Sequence, residues 1–224
     1  MQTSDPKRSV YFHLCRQTLR KAMAAVLPRR LFVVSELSGN RSVCLTFDDG
    51  PHPENTPRLL DHLKELGVRA TFFVIGQRAE RYPEIVRRMA TEGHVVANHS
   101  FSHGKPGGVS SRELVEDVNR TQRLLETLVG KPPLLFRPPN GKVTMAKLWR
   151  LWRAGWTVVL WDLDSKDYSC ESADELRNWF AGRTFHGGNV ILMHDACPHT
   201  GEVIPELVAR IRACGLTFAT PRSK

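Results

Sequence analysis

From residue 41 onward, short apolar runs rich in β-branched and aromatic residues alternate with amphipathic helical patterns, and no other feature of the sequence narrows the fold as much. Such alternation marks an α/β fold with parallel strands, because each helix carries the chain back along the sheet. Seven runs qualify as strands, at 43–47, 70–75, 94–97, 134–136, 157–161, 190–193 and 216–219. Helices are predicted between them at 57–66, 83–91, 111–129, 144–154 and 202–214, each followed closely by a glycine. Ser110 with Glu113 and Ser172 with Glu175 have the spacing of capping boxes.

Polar clusters sit just after these runs: Asp48 and Asp49 after the first, His99 and His103 after the third, Arg137 after the fourth, Asp164 and Asp167 after the fifth, His194 after the sixth. An open sheet spreads its strand ends along a line, whereas a barrel gathers them in one ring. A distorted (β/α) barrel of about seven parallel strands is therefore expected over residues 41–224, and 224 residues with 41% hydrophobic content suffice for one such core.

Residues 1–40 read as a separate basic helical arm. Lys7, Arg8, Arg16, Arg20, Lys21, Arg29 and Arg30 lie there, against Asp5 and Glu36. The arm suits an anionic surface such as lipid headgroups, an acidic glycan or a nucleic acid. The chain's formal +9 does not by itself point to nucleic acid, since no nucleic-acid motif accompanies it. The apolar run 22–27 is too short for a signal peptide and no run spans a bilayer, so a cytoplasmic protein, or one peripheral to the inner membrane face, is expected. Cys15, Cys44, Cys170, Cys197 and Cys214 show no CxxC spacing and read as reduced thiols.

Asp48 and Asp49 leave a buried strand side by side, so their side chains diverge; one can bind a cation while its neighbour stays free as a base. His99 and His103 are four residues apart, the spacing that presents two imidazoles on one face of a helical turn. Asp49, His99 and His103 together make the three-ligand set of a catalytic metal site, and the donors suit zinc, with cobalt, manganese or nickel as alternatives. Pro138 and Pro139 stiffen the turn that follows Arg137.

Thr46-Phe47-Asp48-Asp49-Gly50, His99-Ser-Phe-Ser-His103, Arg137-Pro-Pro-Asn-Gly141, Asp164-Ser-Lys-Asp167-Tyr168 and Leu192-Met-His194 resemble, in order, the five motifs of the polysaccharide deacetylase family. That family includes chitin, peptidoglycan and chitooligosaccharide deacetylases. The resemblance implies removal of an N-acetyl group from an N-acetylated glycan, with Asp48 as general base, His194 as general acid and the metal on Asp49, His99 and His103. It further implies that Arg137 pairs with Asp48 or Asp167 and that Asp164 steadies His194. Asn140 would offer a backbone N–H to the oxyanion, and Tyr168 and Leu192 would line the acetyl pocket. Asn140 and Tyr168 stand where the family often carries an aromatic and a tryptophan. A deformylase or deacetylase of a lipid-linked or nucleotide-linked sugar, and a silent carbohydrate-binding protein, are the competing readings.

Overall fold

The structure is a computed structural model that describes residues 41–104 and 110–221, together with the backbone of the strand Phe32–Val33. The rest of the predicted arm lies outside the described residues.

Among the described residues nine strands pair in parallel: β1 (Phe32–Val33), β2 (Ser42–Asp48), β3 (Thr71–Val74), β4 (Val95–Asn98), β5 (Leu135–Phe136), β6 (Thr157–Val159), β7 (Leu163–Asp164), β8 (Val190–His194) and β9 (Thr217–Phe218). Their order is β1-β6-β5-β4-β3-β2-β8-β7, with β9 beside β2. Only residues 160–162 separate β6 from β7. That one bent stretch bonds β5 at its start and β8 at its end, which closes the circuit from β2 round to β2. The distorted barrel is thus present, and each of the seven predicted runs contains a strand. β7 was hidden because Asp162 and Asp164 interrupt the apolar pattern.

Among the described residues seven α-helices surround the strands: α1 (Asn55–Glu65), α2 (Gly76–Arg81), α3 (Pro83–Thr91), α4 (Ser111–Val129), α5 (Met145–Arg153), α6 (Ala173–Ala181) and α7 (Pro198–Ala213). The α4 box is complete, Glu113 N–H donating to Ser110 Oγ at 3.2 Å and Ser110 N–H to Glu113 Oε2 at 2.6 Å. At α6 only half of the box forms, because the Glu175 carboxylate accepts from Glu171 N–H instead. α2 has six residues, too few for a period to show, and α7 begins at Pro198, a residue suited to the first helical turn.

Strand β2 shows how the layers arise. Val43, Leu45 and Phe47 join the apolar layer between sheet and helices, while Thr46 and Asp48 point the other way, into the barrel. The barrel interior is filled by Arg137, whose side chain is fully buried. Its Nε and Nη2 donate to the carbonyls of Val159 and Leu160, and Nη1 donates to Thr46 Oγ1 and to Asp48 Oδ1 at 2.7 Å. The guanidinium lies 4.1 Å from the centre of the Phe73 ring. Burial draws its pKa down and Asp48 opposes that pull. Cys44, Cys170, Cys197 and Cys214 are free thiols, and among the described residues no helix is long and apolar enough to cross a membrane.

Removing one partner of a buried ion pair strands the other charge. Arg137→Met is expected to lower unfolding free energy by about 3–5 kcal/mol, and adding Asp48→Asn to recover part of that loss, both read from denaturant titration.

Candidate active site

The site grows from the C-terminal ends of the strands. At the end of β2 the chain makes a sharp turn in which Asp49 adopts φ 71°, a left-handed conformation costly for a residue with a Cβ. Three contacts hold it there: Arg78 Nη1 donates to Asp49 O at 2.6 Å, Ile75 N–H donates to Gly50 O at 3.0 Å, and Asp195 N–H reaches Asp48 O. Gly50 tolerates no side chain, because a Cβ would lie 1.9 Å from the Asp195 carboxylate. That carboxylate is buried and accepts from Thr56 Oγ1 at 2.6 Å; burial pushes its pKa up to about 7, against the Thr56 bond, with Asp49 adding to the rise.

The segment carrying the two imidazoles is an irregular loop, and this corrects the expected helical turn. Ser100 and His103 both have positive φ, and Asn98 Oδ1 accepts from Ser100 N–H while Ser100 Oγ accepts from His103 N–H. The first N–H groups of α2 cap the loop at Ser100 O and Phe101 O, and Asp117 of α4 takes Phe101 N–H. The two side chains still converge, with ring centres 5.1 Å apart.

His99 is buried and its Nδ1 lies 2.7 Å from Arg137 O. A carbonyl only accepts, so Nδ1 carries the proton and Nε2 presents a lone pair. That lone pair faces Asp49 Oδ1 at 3.4 Å, and His103 Nε2 lies 3.2 Å from the same oxygen. Asp49 Oδ1 is itself buried without a hydrogen-bond partner. The His99 lone pair facing a buried carboxylate oxygen without a hydrogen-bond partner is the arrangement a cation resolves. Donors bonded at ~2.1 Å to a tetrahedral zinc would also lie ~3.4 Å apart. The residues present therefore fit a divalent metal, and among the described residues this is the only such group of donors.

Across the cleft, β8 places His194 beside Asp48 as its register partner. His194 Nδ1 lies 2.7 Å from Asp167 Oδ1, and Asp167 also accepts from His194 N–H, Tyr168 N–H and Thr200 Oγ1. Burial alone would lower the His194 pKa, but the bond to Asp167 and the charges of Asp167, Asp48 and Asp49 raise it to about 9. This corrects the expected role of Asp164. Its Oδ1 accepts from Lys166 N–H, which turns the carboxylate into a local turn brace, while Asp167 is the fully buried partner of His194. Of the two acids offered for Arg137, the structure chooses Asp48.

A cleft of about 640 Å³ unites these groups; its walls include every predicted site residue except Arg137, which lies beneath the floor. Leu192 is a buried wall, and Tyr168 is 61% exposed at the rim, its ring edge-on to His194. Thr46 stood inside the first quoted motif, and Asp195 directly after the last, without a role. Thr56, Arg78 and Thr200 come from helices, and nothing in their local sequence marks them.

The family model described as polysaccharide deacetylase matches residues 36–159. The chain is 36% identical to a peptidoglycan-N-acetylglucosamine deacetylase of Bacillus cereus over 80% of its length, and 34% identical to a peptidoglycan-N-acetylmuramic acid deacetylase of Bacillus subtilis over 80%. It spans 66% and 37% of the lengths of those two relatives. The crystal structure of the Bc1960 peptidoglycan N-acetylglucosamine deacetylase, in complex with 4-naphthalen-1-yl-N-oxidanyl-benzamide, superposes with a TM-score of 0.81 at 34% identity, covering 85% of this chain and 90% of that one. More than half of the sequence, and the fold that carries its metal turn and imidazole pair, thus place it: this chain belongs to the polysaccharide deacetylase family.

Proposed function

We propose that this chain is a divalent-metal-dependent hydrolase that removes the N-acetyl group from an N-acetylamino sugar in a poly- or oligosaccharide, with zinc on Asp49, His99 and His103. The observation that carries the reading is the pairing, in one cleft, of the metal donor set with a separate base and acid held on neighbouring strands.

When bound, the metal supplies Lewis-acid polarisation of the acetyl carbonyl and makes water a better nucleophile near neutral pH. The chain's own residues carry the protons. Arg137 occupies Asp48 Oδ1, while Asp48 Oδ2 faces the donor cluster, 3.7 Å from His99 Nε2. Asp48 takes the proton released as water adds to the acetyl carbon. His194, protonated and oriented through Nδ1 by Asp167, gives its Nε2 proton to the leaving nitrogen as the C–N bond breaks, yielding acetate and a free amine. Asn140, left-handed at φ 56° on the cleft wall, offers its backbone N–H to the oxyanion, a contact typically worth ~3 kcal/mol. Leu192 and Tyr168 flank the acetyl methyl. In this reading the basic residues of 1–40 keep the protein at an anionic membrane surface.

Acetate release from N-acetylglucosamine oligomers, with zinc supplied, tests the chemistry. Asp48→Asn is expected to retain bound metal while losing roughly 10²- to 10⁴-fold in kcat, and chelation to abolish turnover reversibly. Turnover that survives both overturns the proposal.

The His194 proton gives a second measurement. In the metal-free protein, an NMR titration is expected to place its pKa at about 9, and Asp167→Asn to lower it, because burial is then opposed only by the charges of Asp48 and Asp49. The folded pKa lies above the unfolded one. This contribution to stability is therefore complete below about pH 6.5 and is lost as pH rises through 9.

A further inference from the structure

Helix α5 faces inward with Leu148 and Leu151, which are buried. Its outward face carries Met145, Trp149 and Trp152, exposed by 59%, 55% and 38%. Arg150 and Arg153 lie on that same face; neither forms an ion pair among the described residues, and α5 contains no acidic residue. A core-facing amphipathic helix needs apolar residues on one side only, and among the described residues this second apolar and basic side packs against no core.

We propose that this outer face of α5 is a peripheral membrane contact, seating Trp149 and Trp152 at the headgroup level of an anionic bilayer with Arg150 and Arg153 against lipid phosphates. Indole rings favour that interfacial depth, and arginine stems reach from apolar surface to charged headgroups. Charge decides between occupants. A two-fold contact with another copy would bring a face without acids against its own arginines. A sugar needs an open ring face, and here the two indoles lean on each other, 4.8 Å between centres and tilted by 37°. α5 also begins just beyond the turn Pro139–Gly141, whose Asn140 lines the cleft, so a bilayer on this face would lie near the cleft rim. The inference stands apart from the proposed chemistry and from residues 1–40.

The test is sedimentation of the full chain with phosphatidylcholine vesicles, with and without phosphatidylglycerol, while tryptophan emission is followed. Binding is expected only with phosphatidylglycerol, with a blue shift and quenching by brominated acyl chains. Trp149→Ser/Trp152→Ser should weaken it by roughly tenfold or more. Arg150→Gln/Arg153→Gln should weaken it and flatten its salt dependence. Thermal melts of both variants should match the parent, which separates lost contact from lost fold. The proposal is overturned if the parent stays in the supernatant, if the tryptophan variant sediments as fully as the parent, or if velocity sedimentation shows that the tryptophans hold two copies together. Acetate release from soluble oligomers is a separate readout, so failure of the chemistry leaves this result interpretable.

Discussion

A guanidinium sealed inside a barrel has to find every acceptor within it, and Arg137 does so. Its donors reach the β6 end of the bent closing stretch and the inner face of β2, while its own carbonyl orients His99. One residue thereby ties closure of the barrel, the setting of Asp48 and the tautomer of His99 to a single packing arrangement. Arginine keeps its charge in almost any environment, so the arrangement cannot relax by proton loss. Asp48 consequently has one oxygen committed to Arg137 and the other facing the donor cluster.

Around this fixed interior the backbone departs from regular geometry where the cleft is built. Asp49, His103, Asn140 and Lys166 all have positive φ, and Ser100 joins them within the imidazole loop. Such conformations cost of order 1–3 kcal/mol each and persist only where neighbours enforce them. Here the enforcing groups are visible: Arg78 on Asp49 O, the Asn98 and Ser100 side chains in the imidazole loop, and Asp164 on Lys166 N–H. The donors are thus presented by loops whose shape the helices and strands dictate.

How much of this was legible in the sequence follows from the range of each interaction. Strands with continuous apolar runs and helices with glycine stops declared themselves, since their causes are local. That Asp48, Asp49, His99, His103 and His194 would converge was also legible, because parallel strands deliver their ends to one rim and the residues after each run must meet there. What escaped were choices between near neighbours. Asp164 and Asp167 are three residues apart, and only the turn at Lys166, with Thr200 arriving from α7, decides which of them reaches His194. The four-residue gap between His99 and His103 suggested a helix, yet hydrogen bonds from α2 and α4 bent the segment otherwise. Arg78 and Thr56 act through tertiary contact and carry no local mark at all.

The pairing of Asp48 with His194 across β2 and β8 sets a length scale. Neighbouring strands lie about 4.8 Å apart whatever their side chains, so the span between Asp48 and His194, over which the proposed mechanism moves its protons, is set by sheet hydrogen bonding. The loops that wall the cleft can lengthen, shorten or change residue without altering that span. Within the proposed mechanism, remodelling the rim exchanges one acylated sugar for another while the span between Asp48 and His194 stays the same.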